Sequence, residues 1–86
     1  MDKSLFTNDY AVLLSELRSA RERAGITQGQ LAASLKTTQS LISKCERGER
    51  RLDVVELRSW CQAIGIPLTA FLRRFEKSAP TSPPKI

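Results

Sequence analysis

The chain has 86 residues, 41% of them hydrophobic and 27% charged, with four glycines, a composition that suits one globular domain and excludes a low-complexity chain. A domain this small buries only roughly 60–65% of its unfolded surface, so a deep enzymatic cleft is hard to build and function belongs on the outer face. The 14 Lys+Arg against 9 Asp+Glu leave a formal charge of +5, which favours polyanions, nucleic acid before an anionic membrane; the plainer alternative is a solvated surface.

Residues 1–8 read as a short arm. Asn8 or Thr7 caps a first helix running from about Asp9 to Ala24, with Asp9 favourable in its first turn. Leu13, Leu17, Ala20 and Ala24 recur along it at helical spacing, Arg18, Arg21, Glu22 and Arg23 fall on other faces, and Gly25 ends it. Thr27-Gln28-Gly29-Gln30 fits a capping box, and Ile26 with Leu31 fits a hydrophobic staple, so a short second helix spans Gln28 to Leu35. Thr38 caps a third helix that starts at Gln39, buries Leu41, Ile42 and Cys45, and closes at Gly48.

Asp53-Val54-Val55-Glu56 repeats the capping-box logic for a fourth helix. Its stripe is Val54, Leu57, Cys61 and Ile64, with Gly65 as terminator. Pro67 restarts the chain for a fifth helix carrying Leu68, Phe71, Leu72 and Phe75. Residues 78–86 hold three prolines in nine positions and are expected to be disordered. No segment alternates with period two, so the expectation is an all-α domain of five helices over residues 9–77.

Several function classes fall away. The chain has no histidine, and it shows no metal-ligand spacing, glycine-rich phosphate loop or activated nucleophile. An enzyme, a cofactor and a small-molecule ligand are therefore not expected. No apolar run approaches the ~20 residues of a membrane span, no signal peptide is evident, and the basic residues are not paired with an exposed aromatic face. Cys45 and Cys61 sit within apolar stripes and read as reduced, buried thiols of a cytoplasmic protein.

Two short helices joined by Lys36-Thr37-Thr38 have the spacing of a helix-turn-helix, with Ala32 small enough for a close crossing and Leu31, Leu35, Ile42 and Cys45 filling the angle. From about Leu17 to Leu72 the chain resembles the Cro and lambda-repressor-like family of bacterial and phage regulators. The resemblance is carried by Leu17-Arg18, Arg21, Ala24-Gly25-Ile26-Thr27-Gln28, Leu31-Ala32, Leu35, Thr38-Gln39-Ser40, Ile42-Ser43-Lys44, Glu46-Arg47-Gly48-Glu49-Arg50-Arg51 and Ala63-Ile64-Gly65.

The resemblance implies a regulator of double-stranded DNA. Thr27 and Gln28 would anchor phosphate at the start of the second helix, in keeping with the free N–H groups found there. Gln39 would reach a base edge, Ser40 and Lys44 would help select the site, and Ser43 would meet backbone or base. Arg47, Arg50 and Arg51 would clamp phosphates, and Arg21 with Glu46 matches a pair that ties the first helix to the end of the third. Lys36 and Thr38 join this set, since Lys36, Lys44, Arg47, Arg50 and Arg51 surround one short helix. The plainer readings are good first-turn residues for Gln39 and Ser40 and solvated charges for Lys44, Arg50 and Arg51. Leu41 either meets a thymine methyl or packs on the second helix.

There are departures from the family pattern. Lys36 stands where glycine is usual in a left-handed turn, at a cost of about 1 kcal/mol. The second helix carries no acid, which tilts the reading toward repression. Pro67 replaces the usual serine cap. Leu68, Phe71, Leu72 and Phe75 offer more apolar surface than the core needs, so a homodimer about a two-fold axis is expected, with closure of the monomer's own core as the alternative. The rival function is an antitoxin or other protein-interaction module, which the short arm and tail leave little chain to support.

Overall fold

The computed structural model describes residues 8–79, and the expected tail residues from Pro80 and all but the last residue of the expected arm lie outside them. Five helices follow in order: α1 (Asn8–Arg23), α2 (Gln28–Ser34), α3 (Gln39–Glu46), α4 (Val54–Ile64) and α5 (Leu68–Ser78). There is no strand among the described residues, and no helix is long and apolar enough to cross a membrane. Asn8 is helical rather than part of the arm, and Ser78 is the last residue of α5 rather than the first of the tail. Ser78 is held there because its hydroxyl donates to Glu16 of α1, which also faces Arg74 of α5 at 3.6 Å.

Local chemistry explains the breaks between helices. The Thr27 hydroxyl accepts from the Gln30 N–H at 3.0 Å while the Gln30 amide accepts from the Thr27 N–H at 2.9 Å, the reciprocal box expected there. Asp53 and Glu56 do the same for α4, at 2.7 and 3.0 Å. Three helix ends share one motif, in which a left-handed residue lets two consecutive N–H groups turn back onto the last free carbonyls. Gly25 and Ile26 close α1 this way, Lys36 and Thr37 close α2, and Gly48 and Glu49 close α3. Glycine is left-handed at positions 25 and 48, with φ of 73° and 81°, and Lys36 takes the same conformation with φ of 56°.

The core is one cluster built around Leu17, Leu31, Ile42, Cys45, Cys61 and Phe71, all nearly inaccessible, with Ala32 at the α2–α3 crossing as expected. Three expectations fail. Ala24 lies just past the end of α1 and is exposed, because the chain has already turned away from the core. Val54 is 62% exposed: it lines an open hollow with Leu13, Leu57 and Phe75 instead of filling the core. On α1 the buried face is Tyr10, Leu14, Leu17 and Ala20, so Leu14 is inside and Leu13 only half-buried. Leu17 is compatible with either leucine at helical spacing; Leu14 is buried, and Leu13 packs half-buried against the core. Trp60 of α4 is also buried, a core position absent from the expected stripe.

Phe71 corrects another expectation. Its side chain is fully enclosed by the chain's own core, so it has no surface to offer a second subunit. Leu68, Leu72 and Phe75 are half-buried.

Candidate nucleic-acid interface

Helix α3 is two turns long and two-faced. Ile42 and Cys45 are buried, and Leu41 is half-buried against the core beside a hollow of about 180 Å³ shared with Leu35, Leu52 and Trp60. That placement favours the packing reading of Leu41. Gln39, Ser40, Lys44 and Arg47 are exposed and Ser43 is half-buried, and their spacing lines them along the opposite face. Thr38 begins the helix, its hydroxyl accepting from the Leu41 N–H at 3.1 Å.

The start of α2 lies alongside. A β-carbon on Gly29 would stand 3.7 Å from Oε1 of Gln39, so the Gln39 amide reaches back across the turn to the first turn of α2, near Thr27. Lys36 and Thr38 are exposed between the two helices. Thr27 and Gln39 thus meet around Gly29, and Ser40, Ser43 and Lys44 follow Gln39 along the exposed face of α3.

Gln28 has a further attachment. Its amide N–H donates to Glu46 Oε1 at 2.9 Å, and Glu46 also takes a two-pronged hydrogen bond from Arg21, at 2.7 and 3.1 Å. A third Arg21 N–H reaches the carbonyl of Ile26 at 2.8 Å. The Arg21 and Glu46 side chains are only 8% and 4% exposed, so this pair is a genuine interior link of α1 to the end of α3, with Gln28 bringing in α2. A fork-on-carboxylate geometry fixes orientation as well as distance.

The three arginines of the α3–α4 connection are each engaged within the free chain. Arg47 donates to Glu49 at 2.7 and 3.3 Å and to the Ser43 hydroxyl. Arg50 donates to Glu56 at 2.6 Å and leans over the Cys45 sulfur at 3.8 Å. The Arg51 guanidinium lies 4.3 Å from the centre of the Tyr10 ring, and the Tyr10 hydroxyl accepts from the Leu52 N–H at 3.0 Å, which pins the connection to α1. Hydrogen bonding from Arg47 holds the Glu49 carboxyl below the ordinary range. Arg50, followed by the Asp53 N–H, does the same for Glu56. Burial pushes both free thiols, Cys45 and Cys61, upward, so they stay protonated at neutral pH.

Sequence reasoning missed Glu49, Glu56 and Tyr10 as parts of this surface. Glu49 lies two residues from Arg47 across a left-handed turn, outside any helical pairing rule. Glu56 is legible as a capping residue, but its second oxygen is free to take Arg50 only because the connection folds back over α4.

A short polar-faced helix that follows another short helix after a tight turn has the geometry of a helix-turn-helix. A family profile described as a helix-turn-helix domain matches residues 12–75. Among solved structures, an XRE-family like protein from Pseudomonas syringae pv. tomato str. DC3000 is similar with a TM-score of 0.77 and 47% identity, over 84% of this chain and 88% of that one. The clp gene regulator ClgR from C. glutamicum is similar with a TM-score of 0.76 and 26% identity, over 88% and 99%. No curated protein matches the chain. The chain belongs to the helix-turn-helix family, in its Cro and lambda-repressor-like group of DNA-binding transcription regulators.

Proposed function

We propose that the protein is a sequence-specific repressor that acts inside the cell, occupying a near-palindromic operator as a homodimer. The observation that carries this reading is the division of α3, with Ile42 and Cys45 inside and Gln39, Ser40, Ser43 and Lys44 outside on one face. A helix with that division can enter the major groove and set an amide against adenine or an ammonium against guanine acceptors. Thr27, Lys36, Thr38, Arg47, Arg50 and Arg51 would form the phosphate-facing rim, with the Gln28 amide turned inward onto Glu46 rather than toward phosphate. The repressor assignment leans on α2, which carries no acidic side chain to present to a polymerase.

The homodimer would use the apolar surface left over from folding. Leu68, Leu72 and Phe75 remain half-buried, and Phe75 shares a hollow of about 300 Å³ with Leu13, Leu57 and the exposed Val54. Val55, the next residue of α4, is 70% exposed. To read half-sites one turn of DNA apart, the two-fold axis would have to repeat α3 about 34–36 Å away.

Selection of bound sequences from a random duplex pool at near-physiological salt tests the proposal. The expected product is an inverted repeat with half-sites one turn apart. Recovery of unenriched DNA that salt readily strips would overturn it.

A further inference from the structure

Arg47 and Arg50, two cations expected to clamp phosphate, are already bound to carboxylates of their own chain. We infer that Glu49 and Glu56 are built-in counter-ions that compete with DNA phosphate for Arg47 and Arg50 and so hold down the affinity of the domain for arbitrary DNA. The inference rests on the DNA-binding reading and assigns two acidic residues a part in it.

The geometry carries the competition. Glu49 faces Arg47 with both oxygens, at 2.7 and 3.3 Å, and so fills the fork that a phosphate would use. Glu56 divides its oxygens: Oε1 caps the Asp53 N–H and Oε2 takes Arg50 at 2.6 Å. The Arg47–Glu49 pair is about half exposed on both sides, and Arg50–Glu56 is 42% and 34% exposed. Pairs of that exposure are weak enough for a phosphate to displace and strong enough to cost roughly 1.5–5-fold in affinity. Sequence-independent binding depends on how many phosphates are neutralised, each adding about 0.9 to the salt slope. Engaging a rim arginine in its carboxylate therefore lowers that part of binding, while Gln39, Ser40 and Lys44 remain exposed to read bases.

Fluorescence anisotropy with a short duplex of arbitrary sequence, titrated over a range of salt, tests the inference in the full chain. Glu49→Gln removes the charge of an exposed residue, and Glu56→Gln keeps the capping oxygen, so both variants fold. Each is expected to tighten binding roughly 1.5–5-fold and to steepen the salt slope by up to about 0.9. Glu49→Gln is expected to change nothing in an Arg47→Ala background. Glu76→Gln, on the exposed side of α5, makes the same change in net charge away from α3. If it tightens binding as much as Glu49→Gln, or if Glu49→Gln still acts without Arg47, the effect is one of net charge and the inference falls while DNA binding stands. If the unaltered chain binds no duplex even at low salt, the DNA-binding reading itself falls, and the inference with it.

Discussion

At the scale of single residues, Lys36 is the position where sequence and backbone disagree most. Its φ of 56° repeats the conformation that glycine supplies at positions 25 and 48, and the same pair of turned-back N–H bonds follows it. A side chain there costs about 1–2 kcal/mol, offset in part by the backbone entropy that glycine would lose. Lys36→Gly is therefore expected to stabilise the domain by roughly 0.5–1 kcal/mol, read as a higher urea midpoint at unchanged slope. A lower midpoint would show that the lysine side chain contributes more than its strained backbone costs. Glu46 is the opposite case, a carboxylate that the interior requires. Glu46→Ala leaves the Arg21 guanidinium buried without its main partner, and the expected loss is about 3–5 kcal/mol in the same assay. A loss below about 1 kcal/mol would mean that the pair behaves like an exposed one.

At the scale of elements, helix starts and stops were readable because they depend on neighbours in sequence. Thr27 with Gln30 and Asp53 with Glu56 form the reciprocal boxes that their spacing announces, and each predicted helix boundary falls within a residue or so of the observed one. Thr38 holds the first turn of α3 through one hydrogen bond to the Leu41 N–H. Thr38→Ala is expected to cost about 0.5–2 kcal/mol of stability by chemical denaturation. An unchanged midpoint would show that packing alone fixes where α3 begins. Helix faces were harder to read than helix ends. On α1 both Leu13 and Leu14 fit helical spacing and only Leu14 is buried, and on α4 Val54 lines an open hollow with Leu13 and Phe75 instead of the core.

At the scale of the whole molecule, the apolar surface that folding leaves exposed is not where the fifth-helix pattern alone puts it. Phe71 is fully enclosed, whereas Val54 and Val55 stand out at the start of α4. Val55→Asp places an acid in the first turn of a helix, where it is favourable, and removes nothing from the core. Monomer stability is expected to stay within about 0.5 kcal/mol while sedimentation shows the dimer dissociating. A dimer that survives the change would move the proposed interface to Leu68, Leu72 and Phe75 alone. Cys45 and Cys61 complete the picture of an interior that accepts small soft side chains: both are buried thiols, as their places in the apolar stripes implied.

By itself the sequence determined the five helices, the caps of α2, α3 and α4, the tight turn before α3 and the polar residues that α3 presents. All of these follow from interactions within a few residues along the chain, where spacing and side-chain chemistry suffice. Only the tertiary structure decided how the charges are used. Arg21 is an interior residue because α3 brings Glu46 to it across 25 positions. Arg47 and Arg50 meet Glu49 and Glu56 because the α3–α4 connection folds back on itself, and Tyr10 holds that connection from 42 residues away. The family resemblance pairs Arg21 with Glu46, but spacing alone names no partner for Arg47, Arg50 or Arg51, and the partner decides whether a charge faces DNA, the core or another side chain.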